Sequence, residues 1–197
     1  MEPAASYAVV ADARTRELGV RVLIGLFIAG SAYLLAPGLY PLMWFAALGT
    51  LQVIDSYIAS HVARFTDREP PNQIKARYIA STAINSIVYA AIAPYFWFYG
   101  GDAGQWYAIL YSCGAMLHVC LRSYPSPWTL LAGAVPHASV LFAMPLIFTL
   151  QIGDKQVLHA GIVLVGGLIY MAHLLAGVLS CMLGHSPILL PVFARSN

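Results

Sequence analysis

Charged side chains are scarce in this 197-residue sequence: Asp, Glu, Lys and Arg make up 9% of it, whereas hydrophobic residues make up 60%. Soluble domains contain about 25% charged residues, so this composition excludes an ordinary soluble globule. The net charge is only +2, and we infer no nucleic-acid partner from it.

Cysteine and catalytic motifs are also rare or missing. The three cysteines, Cys113, Cys120 and Cys181, lie in apolar stretches without C-x-x-C spacing. This predicts small core residues rather than a disulfide framework or a structural zinc site. The sequence contains no Walker motif, no G-x-S-x-G and no dinucleotide fingerprint. It therefore indicates no catalytic residue, and we expect no bound cofactor; whether the chain is an enzyme stays open.

The sequence does contain six long apolar segments. They span residues 22–39, 42–62, 78–99, 106–121, 128–150 and 157–183. Each approaches the ~20 residues that a helix needs to cross a bilayer. We therefore predict an all-α integral membrane protein with a transmembrane six-helix bundle over residues 22–183. A cytoplasmic lead, 1–21, precedes it, with a turn of interfacial helix over 12–21, and a cytoplasmic tail, 184–197, follows it.

The basic residues fall almost entirely on one side of these segments. Nine of the ten lysines and arginines share one face, and only Lys155 lies on the other. The nine are Arg14, Arg16, Arg21, Arg64, Arg68, Lys75, Arg77, Arg122 and Arg195. The positive-inside rule then places both termini in the cytoplasm. We expect a multi-pass protein of the inner membrane.

Polar side chains form two stripes on neighbouring predicted helices. They are Gln52, Asp55 and Ser56 on one helix and Ser81, Asn85 and Tyr89 on the next. Asp55 is the only acidic residue well inside an apolar segment, about 10 Å from the cytoplasmic border. Because the two helices are antiparallel, we predict that the stripes meet in an intramembrane polar cluster, with Asp55 contacting Asn85 or a neighbour. Such a carboxylate either marks function or ties two helices together.

Histidine is frequent for so apolar a chain, with six residues. His137 and His173 lie at similar depths on the fifth and sixth predicted helices. They are weak candidates for ligands of haem iron or a transition metal. The sequence has no H-x₃-H or H-E-x-x-H spacing, so helix packing is the favoured interpretation.

The basic lead, 14–21, precedes a helix over 44–64 that carries the Gln52 and Asp55 stripe, and all loops are short. This plan resembles the N-terminal six-helix membrane input region of bacterial sensor histidine kinases, particularly hybrid kinases of alphaproteobacteria. The resemblance implies a signalling input module in the lipid bilayer, partnered by a cytoplasmic kinase or another output domain. The phospho-acceptor motif H-E-x-R-T-P is missing, so kinase activity would require an attached or associated domain. A homodimer stays open.

Two other functions are consistent with the same sequence. A small transporter or channel protomer would use Asp55 and Asn85 as its intramembrane polar site. A membrane haem or metal protein would use His137 and His173. The sequence alone does not decide between these alternatives and the signalling module.

Overall fold

The computed structural model describes residues 3–66, 69–152 and 157–184. The helices are α1 (Pro3–Arg16), α2 (Leu18–Leu35), α3 (Tyr40–Val62), α4 (Asn72–Ala90), α5 (Ile92–Tyr99), α6 (Gly101–Ser123), α7 (Pro127–Ile152) and α8 (Val157–Gly184). No strand occurs in these ranges, so the predicted all-α class is confirmed for them. The predicted tail lies, after Gly184, outside the described residues.

Helix α1 departs from the sequence prediction, which allowed only a turn of helix over 12–21. It begins at Pro3 and ends at Arg16, and α2 already begins at Leu18. Helix α1 packs along α3. Together with Tyr78 of α4, this contact forms a cluster of buried side chains: Tyr7, Val10, Ala11, Ala59, Val62 and Tyr78. The lead is therefore a docked helix with its own small core.

Among the described residues, five helical stretches are long and apolar enough to cross a membrane. They are Leu18–Leu35, Tyr40–Val62, Asn72–Tyr99, Pro127–Ile147 and Gly161–Ser180. The remaining predicted segment, 106–121, lies in α6, which also carries Asp102 and Arg122 near its ends. The count of six spans is thus not confirmed. Five such helices are compatible with a multi-pass membrane protein.

The third predicted segment is divided into α4 and α5 at Ala91, three residues before Pro94. Proline has no backbone N–H and its ring crowds the carbonyl four residues earlier, which interrupts the helical ladder. Side chains of α3 supply donors near the break. The Tyr40 hydroxyl donates to the Ala91 carbonyl over 2.9 Å, and Trp44 Nε1 donates to the Val88 carbonyl over 2.6 Å. These two carbonyls near the break are therefore hydrogen-bonded within the bundle.

The helices pack mainly against their neighbours in the chain. Helix α2 packs on α3, α3 on α4, α5 on α6 and α6 on α7, and α4 also packs extensively against α7. Buried aromatic side chains, including Trp44, Phe96 and Trp97, fill the main core. Helices α2 and α6 make few contacts with each other, which leaves room for a cavity between them.

Helix α8 lies at the edge of the bundle. Only 6% of Gly161–Ser180 is buried, compared with 28–39% of the other four apolar stretches. It packs mainly on α7, with a smaller contact to α6. Ile162, Leu168 and Leu175 are among its exposed side chains. Large exposed apolar surfaces mark contact with a partner or a membrane.

Candidate functional site: a buried ionic cluster beside a cavity

Asp55 lies at the centre of a buried ionic cluster. Although it sits within an apolar helix, it is only 1% exposed. Its Oδ2 atom forms an ion pair with Arg14 Nε at 2.9 Å and accepts a hydrogen bond from Arg21 Nη1 at 3.2 Å. Its Oδ1 atom accepts from the Ser81 hydroxyl at 2.8 Å. These four residues, the Asp55 cluster, join α1, α2, α3 and α4.

The two arginines are also linked to each other and to α4. Arg21 Nη2 donates to the backbone carbonyl of Arg14 over 2.6 Å. Arg14 Nη1 donates to the Thr82 hydroxyl. Arg21 Nε is buried and has no hydrogen-bond partner among the described residues. The cluster therefore fixes the end of α1 and the start of α2 against α4 but leaves one donor of Arg21 unused.

The structure brings the two predicted polar stripes together. Gln52 Nε2 donates to Asn85 Oδ1 over 3.1 Å, and both side chains are buried. The expected contact of Asp55 with the next helix is made by Ser81 rather than by Asn85. Asn85 thus pairs with Gln52, one turn of α3 away from the carboxylate.

Ser56 and Tyr89, the other two stripe residues, do not bind the carboxylate. Ser56 follows Asp55 in the chain and is half-buried. The Tyr89 hydroxyl donates to the backbone carbonyl of Arg21 over 3.2 Å. Tyr89 therefore supports the cluster through α2.

Arg14 and Arg21 were not part of the predicted cluster, because their place in the sequence marks them only as residues of the cytoplasmic face. One signal was present in the sequence: a carboxylate buried among apolar residues needs a cation or several donors. Long arginine side chains carry their charge well away from the backbone, so loop position alone did not locate the guanidinium groups.

The Asp55 cluster carries one more positive than negative charge. The side chains of Arg14 and Arg21 are 16% and 10% exposed, whereas that of Asp55 is 1% exposed. Removing one partner of a buried ion pair typically costs about 3–5 kcal/mol, because the other charge stays desolvated. The position of α1 and α2 therefore depends strongly on Asp55.

A second, more exposed ionic group ties the same turn to α6. Glu17, between α1 and α2, forms an ion pair with Arg122 near the end of α6. Its Oε2 atom also lies 3.9 Å from His118 Nε2. The Glu17 side chain is 20% exposed and its two partners are each 52% exposed. The turn is thus held to α3 and α4 on one side and to α6 on the other.

A cavity of about 410 Å³ lies between α2 and α6, lined also by α1, α4 and α7. Arg14, Arg21 and Arg122 line it, together with Glu17. On each helix these residues lie towards the end of the bundle where α1 docks. This end of the cavity is therefore ionic, and two of its arginines belong to the Asp55 cluster.

The rest of the cavity is mainly apolar and aromatic. Phe27, Leu110 and Tyr107 line it, as does His137. Tyr107 and Arg122 are fifteen positions apart on α6, so the cavity extends about 22 Å along that helix. A volume of this size falls in the range of ligand pockets, which are about 300–1,000 Å³.

The two histidines considered as metal ligands lie in different surroundings. His137 is 3% exposed; its ring centroid is 6.3 Å from that of Tyr111, and its Nδ1 atom lacks a hydrogen-bond partner in the described part of the chain. His173 is exposed, with Nδ1 3.1 Å from the carbonyl oxygen of Ile169 in its own helix. Within the described ranges, no group of three or more His, Cys, Asp or Glu side chains is placed to hold a metal ion.

Comparisons with known proteins give no relative: no family model matches the sequence, and neither a curated protein nor a solved structure matches it significantly. The resemblance to the input region of sensor histidine kinases therefore stays a prediction. What the chain does must be argued from its own residues.

Proposed function

We propose that the chain is a multi-pass protein of the inner membrane that functions as a signalling input module. In this proposal α6 is a sixth span, both ends of the chain are cytoplasmic, and α8 leads towards an attached or associated output domain. The apolar helices support the membrane setting. The signalling function is supported by Arg14 and Arg21, which both hold Asp55 and line the cavity.

The observation that carries the proposal is that Arg14 and Arg21 belong to two sites at once. They hold Asp55, and they also line the cavity between α2 and α6. A ligand that reaches these guanidinium groups competes with Asp55 for them. Binding in the cavity therefore changes how firmly α1 and α2 are held to α3 and α4, which is the coupling that an input module requires.

Helix α8 is suited to transmit such a change. It is the least buried of the apolar stretches and rests mainly on α7. Helix α7 in turn packs against α4 and α6, which contact the Asp55 cluster and the Glu17 ion pair. A small shift of α1 and α2 can thus reach α8 through two packed helices.

The Asp55 cluster argues against the transporter alternative. A carboxylate that binds a transported cation must exchange its partner for that cation. Asp55 is instead held by two guanidinium groups and a hydroxyl, and is 1% exposed. We therefore assign it to holding the helices together rather than to ion passage.

The test is a chimera in which the cytoplasmic part of a histidine kinase follows residue 184. We expect Asp55→Asn and Arg21→Gln to change autophosphorylation in isolated membranes in the same direction, by about fivefold or more. Arg77→Gln, which removes an exposed arginine outside the cluster, is the matched control and should leave the rate unchanged.

An active, membrane-inserted chimera that is indifferent to both cluster variants would refute the signalling function. Ion flux through liposomes that contain the chain, lost in Asp55→Asn but kept in Arg77→Gln, would establish the transporter instead.

A further inference from the structure

We infer that the cavity between α2 and α6 binds a single-chain amphiphile with an anionic head, a carboxylate or a phosphate, and an apolar tail. This inference deepens the proposed function, since it names the class of ligand for the same site. It rests on that function only in taking the ligand to be the signal. Binding itself is a property of the chain alone.

The charge at the ionic end of the cavity favours an anion. Three guanidinium groups, those of Arg14, Arg21 and Arg122, face two carboxylates, those of Asp55 and Glu17. One positive charge is left over. Arginine presents its donors in a fork that matches carboxylate and phosphate oxygens, so an anionic head balances this excess charge.

The remaining length of the cavity favours an apolar tail. Ile24, Phe27 and Leu110 line it and are themselves largely exposed on the bundle surface. The cavity is therefore open towards the side of the bundle, where a membrane would lie. Its length of about 22 Å along α6 suits one extended acyl chain. The cavity volume of about 410 Å³ favours one chain rather than two.

The head and the Asp55 cluster compete for the same groups. An anion bound at Arg21 or Arg14 reduces the hold of these arginines on Asp55, or neutralises the excess positive charge beside it. Either effect alters the contact of α1 and α2 with the bundle. The ligand class and the proposed coupling are therefore chemically consistent.

The experiment measures binding of tritiated oleate to the purified full chain in dodecyl maltoside by scintillation proximity. Unlabelled oleate and 1-oleoyl-lysophosphatidate test the two anionic heads on the same tail. Oleyl alcohol has the same tail with a neutral head, and acetate and inorganic phosphate are heads without a tail. We expect at least one of the two anionic amphiphiles to displace the label at concentrations about tenfold or more below that of oleyl alcohol, since charge-assisted hydrogen bonds contribute the difference.

Two variants locate the site. A side chain at Gly114, which lines the cavity, meets no atom within 4 Å of its first carbon, so Gly114→Leu fills the cavity without displacing packed groups. Gly177→Leu on α8 is the matched control, because Gly177 is equally open and does not line the cavity. Gly114→Leu should abolish specific oleate binding, and Gly177→Leu should retain it.

Arg122→Gln provides an independent variant, since Arg122 is half-exposed and lies outside the Asp55 cluster. It should weaken oleate binding about tenfold and leave the weak displacement by oleyl alcohol unchanged.

Equal potency of oleyl alcohol and both anionic amphiphiles would overturn the anionic head. Wild-type oleate binding in Gly114→Leu would overturn the site. Displacement by acetate or phosphate alone would overturn the tail.

These results are separable from the chimera experiment. If no amphiphile binds while the cluster variants still change kinase output, the ligand class is wrong and the signalling function stands. If oleate binds while the cluster variants leave the output unchanged, the signalling function is wrong and the lipid site stands.

Discussion

Asp55 has more positive charge beside it than neutrality requires, because two guanidinium groups share its Oδ2 atom. The carboxylate allows two arginines to lie largely buried between helices. Without it, like charges would face each other in a medium of low dielectric constant. Asp55 is therefore the residue on which the packing of α1 and α2 depends.

The Asp55→Asn variant should be destabilised, since an amide leaves two buried cations without a counter-ion. An asparagine would be tolerated if Asp55 had only the neutral partners predicted from the sequence, but Arg14 and Arg21 require the carboxylate charge. We predict a melting temperature lower by roughly 6–12 °C in detergent, from a loss of about 3 kcal/mol. Asp102→Asn, at an exposed position on α6, is the control. Equal melting temperatures for the wild type and Asp55→Asn would show that the cluster does not hold the helices.

Some of the side-chain contacts around Asp55 could be predicted from the sequence. The spacing of Gln52 and Asp55 on one helix, and of Ser81 and Asn85 on the next, predicted that these side chains face each other, and the structure places them in contact. The exact pairs depend on rotation and register, which periodicity does not determine. The arginine partners come from the lead, whose docking is a tertiary feature that local patterns do not reveal.

Helix α1 is the element that sequence reasoning missed. Tyr7, Val10 and Ala11 have the i, i+3, i+4 spacing of a buried face, but the apolar face is short and partly built from alanine. Its partner Ala59 lies on α3 and is fully buried. Small side chains on both helices allow the close approach. The break before Pro94, in contrast, follows directly from backbone chemistry.

Enlarging the α3 surface below α1 should release α1. Ala59→Leu places extra methyl groups where no space remains, and overpacking of this kind costs about 1–3 kcal/mol. We expect the buried Ala11→Cys thiol to react with maleimide about tenfold or more faster in the Ala59→Leu background, because the undocked state is more populated. The native cysteines are replaced by alanine. Ala47→Leu, on an exposed position of α3, is the matched control. Equal reactivity in the two leucine backgrounds would contradict the docking of α1.

At the scale of the whole molecule, the number of spans depends on α6. It is as long as α3, with 23 residues, and packs between α5 and α7, but its polar residues keep it outside the five most apolar stretches. Hydropathy along the chain located the segments. Hydropathy does not determine whether α6 crosses the membrane, because its polar residues His118 and Arg122 are paired with Glu17, and such a tertiary contact is not visible in the local sequence.

Reporter fusions decide this point. If α6 crosses the membrane, fusions at Gly101 and Pro125 report opposite compartments, with Gly101 external. Fusions at Pro70 and after Gly184 should then share the cytoplasmic side with Pro125, as the distribution of basic residues predicts. Fusions at Gly101 and Pro125 that report the same compartment would exclude α6 as a span and place the ends of the chain on opposite sides.

We propose that Asp55, by fixing α1 and α2, sets the position of α8. Spin labels at Gly19→Cys and Gly177→Cys occupy open positions at the start of α2 and on α8, and the native cysteines are again replaced by alanine. The distance between the labels is measured by pulsed electron paramagnetic resonance in lipid nanodiscs. We predict that Asp55→Asn shifts or broadens the distance distribution by about 2 Å or more, whereas Asp102→Asn leaves it unchanged. Superimposable distributions for the wild type and Asp55→Asn would contradict the coupling.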